Sequence, residues 1–121
     1  MNKKIYLFIR EMEVSAMERK LGLERGWGNG YVCLPEGHPL YGKHYNKIDN
    51  LSVHGGLTFC GRSKDYNWAD MPNAIRGCNY WLLGFDTSHY NDNQSNCPKS
   101  YVLRETRMLA EQIEKLYPYE K

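Results

Sequence analysis

A chain of 121 residues with a net charge of +2 has the length of a single domain, and 41% hydrophobic residues are ordinary for a soluble globular protein. The charges are spread along the chain without a long run of one sign, which argues against a tail that binds long nucleic acids. The apolar run near the start is too short for a signal peptide or a membrane span. We therefore expect one cytoplasmic domain over residues 1–121 that contacts no membrane.

The first part of the chain predicts two strands separated by a short helix and a loop. Residues 4–9 (KIYLFI) have the β-branched and aromatic content of a strand. Residues 12–22 predict a helix that ends at Gly22. Its apolar face consists of Val14, Met17 and Leu21. Four glycines within residues 22–30 then predict a loop, because glycine tolerates positive φ and close contacts, and residues 31–35 (YVCLP) predict the second strand.

The middle of the chain predicts two further strands. Residues 51–61 (LSVHGGLTFCG) form the third, and the adjacent Gly55 and Gly56 indicate either a bulge or a backbone that lies against a ligand. A polar stretch over residues 62–77 leads to residues 79–85 (NYWLLGF), which have the most buried character of the predicted strands.

The carboxy-terminal segment predicts an amphipathic helix over residues 101–117, capped by Ser100. Its apolar stripe consists of Val102, Thr106, Leu109, Ala110, Ile113 and Leu116. One such helix beside three or four strands predicts an α+β fold, with a small, mainly antiparallel sheet covered by this helix on one face.

The cysteines give no indication of a metal site. Cys33, Cys60, Cys78 and Cys97 form no C-x-x-C pair, so the spacing of a zinc ribbon is absent. In a cytoplasmic chain we predict that all four are free thiols. The sequence identifies no cofactor and no metal.

Ionisable side chains follow the predicted fourth strand directly. Asp86, His89 and Asp92 recur every third residue in a loop of small polar residues, and loops at strand ends are common positions for functional sites. His54 interrupts the third strand, where alternation would point His54 and Thr58 away from the core. From the residues alone, a surface histidine and a turn-capping aspartate are equally good explanations.

Two kinds of chemistry would use these side chains. Carboxylate and imidazole together suit Zn, Mn or Fe with an open position that activates water. Without a metal, a histidine oriented by an aspartate serves as general acid or base, and a second histidine can neutralise a phosphate. The chain has no H-E-x-x-H, G-x-S-x-G or P-loop motif, and its glycines lack the spacing of a dinucleotide-binding loop.

Three stretches, followed by a helix that begins YVLRE, combine into a recognisable pattern: GWGNGYVCLPEGHPLYG (26–42), VHGGLTF (53–59) and WLLGFDTSH (81–89). Over about residues 26–113 the chain resembles a family of short proteins common in bacteriophage genomes. The recurring positions are Trp27, Gly30, Tyr31, Pro35, Gly37, His38, Pro39, Tyr41, His54, Gly55, Gly56, Phe85, Asp86 and His89. The resemblance implies a phage protein expressed inside bacteria, a setting in which countering host defence is common. It also favours a site at His54, Asp86 and His89.

Three functions follow from this pattern. The first is a binding protein for a nucleotide-like anion, in which glycine-rich backbone presents N–H groups to phosphates and aromatic rings stack on bases. Its predicted ligand-binding residues are Trp27, Gly30, Tyr31, His38, Tyr41, Gly55, Gly56, Thr58 and Asp92. The second is a hydrolase or phosphodiesterase with His54, Asp86 and His89 as catalytic residues. The third is an interaction module that inhibits a host protein. Each of the three functions is compatible with a homo-oligomer as well as with a monomer.

Overall fold

The computed structural model describes residues 4–119 and has an α+β fold, as predicted. The strands are β1 (Tyr6–Glu11), β2 (Gly28–Leu34), β3 (Phe59–Arg62) and β4 (Trp81–Phe85). They form one antiparallel sheet in the order β1-β2-β4-β3. The helices are α1 (Ala16–Lys20) and α2 (Lys99–Leu116). Within the described residues, neither helix is long and apolar enough to cross a membrane.

Side chains of the central strands alternate between two faces of the sheet, and both faces are covered. Val32 and Leu34 face α2, whereas Tyr31 and Cys33 face the opposite side. The core under α2 contains Val32, Leu34, Leu40, Leu83, Phe85, Val102, Leu109, Ala110 and Ile113. The core on the opposite side contains Phe8, Tyr31, Cys33, Met71, Ile75, Tyr80 and Leu82. The chain between β3 and β4, which the sequence presents as a polar stretch, therefore supplies the cover for the second face.

Close packing of α2 on the sheet depends on Gly30 in β2. A Cβ atom at this position would overlap the Thr106 hydroxyl and the Phe85 ring. Thr106 is buried, and its hydroxyl donates to the Val102 carbonyl at 2.7 Å, so the helix presents no unsatisfied hydroxyl to the core. Gly30 was predicted to line a ligand pocket, and this prediction is wrong because the residue lies beneath α2.

β2 begins earlier than the sequence predicts. Part of the predicted loop over residues 22–30 belongs to the strand, since Gly28 and Asn29 already pair with β1. Glycine and asparagine have low strand propensity, but backbone pairing with a neighbouring strand overrides that preference.

The predicted third strand is wrong over most of its length. Of residues 51–61, only those from Phe59 onward pair with β4. The preceding residues form a turn in which the Gly56 N–H donates to the Val53 carbonyl at 2.9 Å. His54 lies in this turn, so the argument from alternating strand faces does not determine its direction.

α1 is a short helix whose predicted apolar face does not pack. Ser15 and Glu18 form a capping box: the Glu18 N–H donates to the serine hydroxyl at 3.1 Å, and the Ser15 N–H donates to the glutamate carboxylate at 3.0 Å. Met17 and Leu21, however, are 72% and 67% exposed. The predicted helix over residues 12–22 is therefore shorter in the structure, and the apolar side chains assigned to one of its faces, Met17 and Leu21, are exposed.

α2 is confirmed as a long amphipathic helix, with two differences in detail. It begins at Lys99, after Pro98 in the N-cap position, so Ser100 lies inside the first turn and is not the cap. Val102, Thr106, Leu109, Ala110 and Ile113 are buried as predicted. Leu116, the last residue of the predicted stripe, is 47% exposed.

Candidate functional site

The turn that carries His54 is held against α2 by side chains of the helix. The Gln112 carboxamide accepts from the Ser52 N–H and donates to the Ser52 carbonyl, both at 2.7 Å. Nearer the start of the helix, the Glu105 carboxylate accepts the His54 backbone N–H at 2.9 Å. Because these contacts satisfy backbone groups of an irregular segment, they fix its position on the helix. His54 is thereby placed beside the first turns of α2.

The His54 ring lies in a cluster with Asp92, Cys97 and Tyr101. Its Nε2 is 3.0 Å from each carboxylate oxygen of Asp92, and its Nδ1 is 2.8 Å from the Tyr101 hydroxyl. The Cys97 Sγ lies 3.7 Å from Asp92 Oδ1 and 3.9 Å from His54 Nε2. Asp92 and Cys97 are buried, whereas His54 is partly exposed. The fold thus brings together side chains of which His54 and Asp92 are 38 residues apart in the sequence.

Burial and hydrogen bonding act in opposite directions on the acidic groups of this cluster. Burial raises the pKa of Asp92, but hydrogen bonds from the His54 ring and the His89 backbone N–H outweigh it, and the pKa lies below its ordinary value. Burial, reinforced by the charge of Asp92, raises the pKa of the Cys97 thiol to about 11. Burial also raises the pKa of Tyr101. At neutral pH the cluster therefore holds an ionised carboxylate beside a neutral thiol and a neutral phenol.

A second histidine–aspartate pair, His89 and Asp86, lies beside the first. His89 Nε2 is 3.1 Å from Asp86 Oδ1, although the angle of approach lies outside hydrogen-bond geometry. The Asp86 carboxylate accepts from the Thr58 hydroxyl at 3.1 Å and from the Ser88 N–H at 3.2 Å. The ring centroids of His54 and His89 are 5.7 Å apart. The His54 ring therefore neighbours the His89 ring, which neighbours Asp86, whereas the carboxylate that pairs with the His54 ring is that of Asp92.

The His89 ring packs against the turn formed by Gly55 and Gly56. A Cβ atom on Gly55 would overlap His89 Nε2, and both glycines have positive φ, +68° and +80°. This contact buries Nε2. Nδ1 is not buried, and it forms no hydrogen bond within residues 4–119. The imidazole is therefore packed against the turn at Nε2, whereas Nδ1 has no hydrogen-bond partner among the described residues.

Aromatic rings and two cations border the cluster at the start of α2. The Trp27 backbone N–H donates to the Cys97 backbone carbonyl at 2.8 Å, which places the main chain of Trp27 next to the cluster. The Lys99 ammonium lies 5.6 Å from the centre of the Trp27 ring, and the Arg104 guanidinium lies 5.4 Å from the centre of the Tyr101 ring. Trp27 is thus the one predicted aromatic ligand-binding residue that the fold places at this site.

Tyr31 lies on the opposite face of the sheet from α2. It is buried, and its ring stacks on Phe8 with a centroid distance of 4.9 Å. Its face is covered by core side chains, so it cannot stack on a ligand base beside His54. The prediction that Tyr31 lines the same pocket is wrong.

His38 and Tyr41 lie at the opposite end of α2 from His54. The buried His38 ring is 6.1 Å from the Tyr119 ring, and Tyr41 is 6.1 Å from the Trp81 ring. Burial lowers the pKa of His38, although a hydrogen bond with the backbone just after α2 opposes this. A helix of 18 residues is about 27 Å long. The prediction that His38 and Tyr41 share a pocket with His54 is therefore wrong.

A cavity of about 610 Å³ lies near the cluster but does not contain it. It is bordered by the α1 segment and by residues 93–95, which follow Asp92 directly. Neither His54 nor His89 lines it. The candidate site therefore lies outside this cavity.

Sequence reasoning missed Cys97, Tyr101 and Glu105. All four cysteines are free thiols, and Cys97 has no nearby second cysteine to mark it as a ligand, although it stands shortly after Asp92 and just before a helix. Tyr101 and Glu105 are four residues apart, which puts them on one helix face outside the apolar stripe. That second, polar stripe was the available signal for residues that contact another segment.

Comparison with protein-family models, with curated proteins and with solved structures found no significant match to this chain.

Proposed function

We propose that the chain hydrolyses a small, phosphorylated, nucleotide-like substrate at the surface where His54 and His89 meet. The observation that carries this proposal is the His89–Asp86 pair, in which Nε2 faces a carboxylate at 3.1 Å and Nδ1 has no partner among the described residues. An imidazole oriented at one nitrogen and free at the other is the arrangement of a general base. Its imperfect Nε2 angle is common in ligand-free sites and does not exclude this role.

The reaction requires one proton to move twice. His89 Nδ1 accepts a proton from water as the water oxygen forms a bond to phosphorus. The bond from phosphorus to the leaving oxygen breaks on the opposite side of phosphorus, where solvent water donates a proton to that oxygen, and the imidazolium then releases its proton to bulk water. Asp86 stabilises the imidazolium between the two steps, and the Thr58 hydroxyl holds the carboxylate in place.

The start of α2 supports an anionic substrate. Lys99 and Arg104 lie beside Trp27 and Tyr101, and the amino-terminal end of an 18-residue helix has a partial positive charge. The half-buried indole of Trp27 offers a ring on which a base can stack.

Binding without turnover is the second candidate. Both ring nitrogens of His54 already have partners, Tyr101 and Asp92, so this histidine is not free to transfer a proton in the state described. A site with one such fixed imidazole is equally suited to hold an anion.

Phage membership, an anti-defence role and inhibition of a host protein stay predictions. For the last of these, the exposed side chains of Met17, Leu21 and Leu23 form the apolar surface at which such a partner would be sought.

A panel of cyclic and linear nucleotides, incubated with the protein and separated by chromatography, tests the proposal. A new product that His89→Ala abolishes and His44→Ala retains would support hydrolysis, because His44 is exposed and lies outside the site. Intact nucleotide released only on heating would support binding in its place. If no nucleotide is either converted or retained, both candidates are contradicted.

A further inference from the structure

We propose that His54 Nε2, a carboxylate oxygen of Asp92 and Cys97 Sγ bind a divalent transition-metal ion, with Zn²⁺ as the best match. The three ligand atoms lie within 4.8 Å of one another. Their catalytic use rests on the proposed hydrolysis, whereas the binding of the metal does not.

The spacing of the three atoms is that of a tetrahedral site. Ligands at ordinary zinc distances stand about 3.3 Å apart for nitrogen and oxygen and about 3.6 Å apart when one of them is sulfur. The observed separations are 3.0 Å between His54 Nε2 and Asp92, 3.7 Å between Asp92 and Cys97, and 3.9 Å between Cys97 and His54. Each differs from the expected value by a few tenths of an ångström, which side-chain rotation alone can provide.

Neighbouring groups orient the side chains of His54 and Asp92, and a backbone hydrogen bond positions the main chain of Cys97. The Tyr101 hydroxyl contacts His54 Nδ1 at 2.8 Å, and the His89 N–H donates to Asp92 Oδ2 at 2.9 Å. The Cys97 N–H donates to the Asn93 carbonyl at 2.8 Å. Metal ligands typically have such outer partners, which fix the tautomer and the direction of each side chain.

The kinds of donor atom restrict the metal. A thiolate with an imidazole and a carboxylate suits Zn²⁺ or its substitute Co²⁺, whereas Mg²⁺ and Ca²⁺ prefer oxygen ligands alone. When the metal binds, the Cys97 thiol releases its proton to the buffer as the metal–sulfur bond forms. The His54 proton moves from Nε2 to Nδ1, where it can be donated to the Tyr101 hydroxyl, and Nε2 binds the metal.

Three protein ligands leave the fourth tetrahedral position to water, as in catalytic zinc sites. A metal-bound water loses its proton far more easily than free water does. With the His89 ring 5.7 Å from the His54 ring, this water would lie close to the proposed general base. The metal would thereby supply the nucleophile for the hydrolysis.

Metal binding is measured on the full chain without any nucleotide. Protein prepared without chelator is passed through gel filtration and its zinc content determined, and the apoprotein is titrated with Co²⁺. We expect near-stoichiometric zinc, together with a thiolate-to-cobalt charge-transfer absorption. Cys97→Ser should remove this absorption and weaken zinc binding by more than the roughly 10–100-fold that an outer-partner change such as Tyr101→Phe costs.

Cys78→Ser is the matched control, since this thiol is exposed and, within residues 4–119, donates a hydrogen bond to the Ala74 carbonyl and to no group of the cluster. It should leave both signals unchanged. If Cys97→Ser does not fold, the ¹⁵N shifts of the His54 ring in the wild-type protein decide, because zinc must move the proton from Nε2 to Nδ1. No retained zinc, no cobalt–thiolate absorption and no change of tautomer would overturn the proposal. A protein that binds zinc but converts no nucleotide would contradict the proposed function and not the metal site.

Discussion

Replacing Gly55 with alanine tests how closely the turn holds the His89 ring. An L-residue at the observed φ of +68° costs about 1–2 kcal/mol in backbone strain. The new methyl group would also overlap His89 Nε2, and overpacking of this kind costs roughly 1–3 kcal/mol more. We therefore expect the free energy of unfolding to fall by about 2–5 kcal/mol.

Gly56→Ala is the matched control. Its φ is +80°, but no atom lies within 4 Å of the position that its Cβ would take. It should therefore lose only the backbone strain of about 1–2 kcal/mol. The difference between the two variants isolates the contact with His89.

Urea unfolding, imidazole NMR and nucleotide turnover together measure the effect. If the ring moves aside to accommodate the methyl group, the two variants become closer in stability. In that case the His89 resonances shift and turnover falls by about 10²–10⁴, the usual contribution of a general base. Equal stability in the two variants, with unchanged His89 resonances, would refute the reasoning.

Three further predictions concern the core, a buried histidine and the thiols. Leu109→Asp should unfold or aggregate the protein, because burial of the leucine side chain contributes roughly 1.5–3 kcal/mol to stability. Leu116→Asp, at an exposed position, should remain soluble and melt cooperatively. A normal thermal melt of Leu109→Asp would contradict the assigned core. His38 has a lowered pKa, so the unfolded chain takes up a proton at a higher pH than the folded chain does, and stability should fall as the pH drops below the ordinary value of 6.5. His38→Asn should flatten this dependence in urea titrations at pH values on either side of 6.5, and an unchanged slope would show that another group is responsible. Thiol titration of freshly purified protein under denaturing, non-reducing conditions should count four free thiols, and a count of two would show a disulfide. In the native protein, the exposed Cys78 should react first and the buried Cys97 slowly.

The elements that the sequence predicts correctly are those whose burial follows a local period. α2 has apolar residues at helical spacing over several turns, and the buried β4 has a continuous apolar run between polar segments. Such patterns record which side of an element faces the core, and they do not depend on which partner covers it. The α+β class follows from them directly.

The errors arise where a contact with a distant segment outweighs a local preference. Gly28 and Gly30 look like loop residues, yet β2 contains them because β1 pairs beside the first and α2 packs closely over the second. Residues 51–58 look like a strand, yet Glu105 and Gln112 bind their backbone and leave only the following residues to pair with β4.

The candidate site shows the same division. Asp86, His89 and Asp92 could be predicted because they follow a strand in one short loop, and His54 because it precedes two glycines. That His54 uses Asp92, and not Asp86, as its nearest carboxylate was decided only by the position of the turn on α2. The chemistry of each side chain follows from its identity in the sequence. The distances between these side chains, which decide whether they form a site, depend on how strands and helices far apart in the chain pack together.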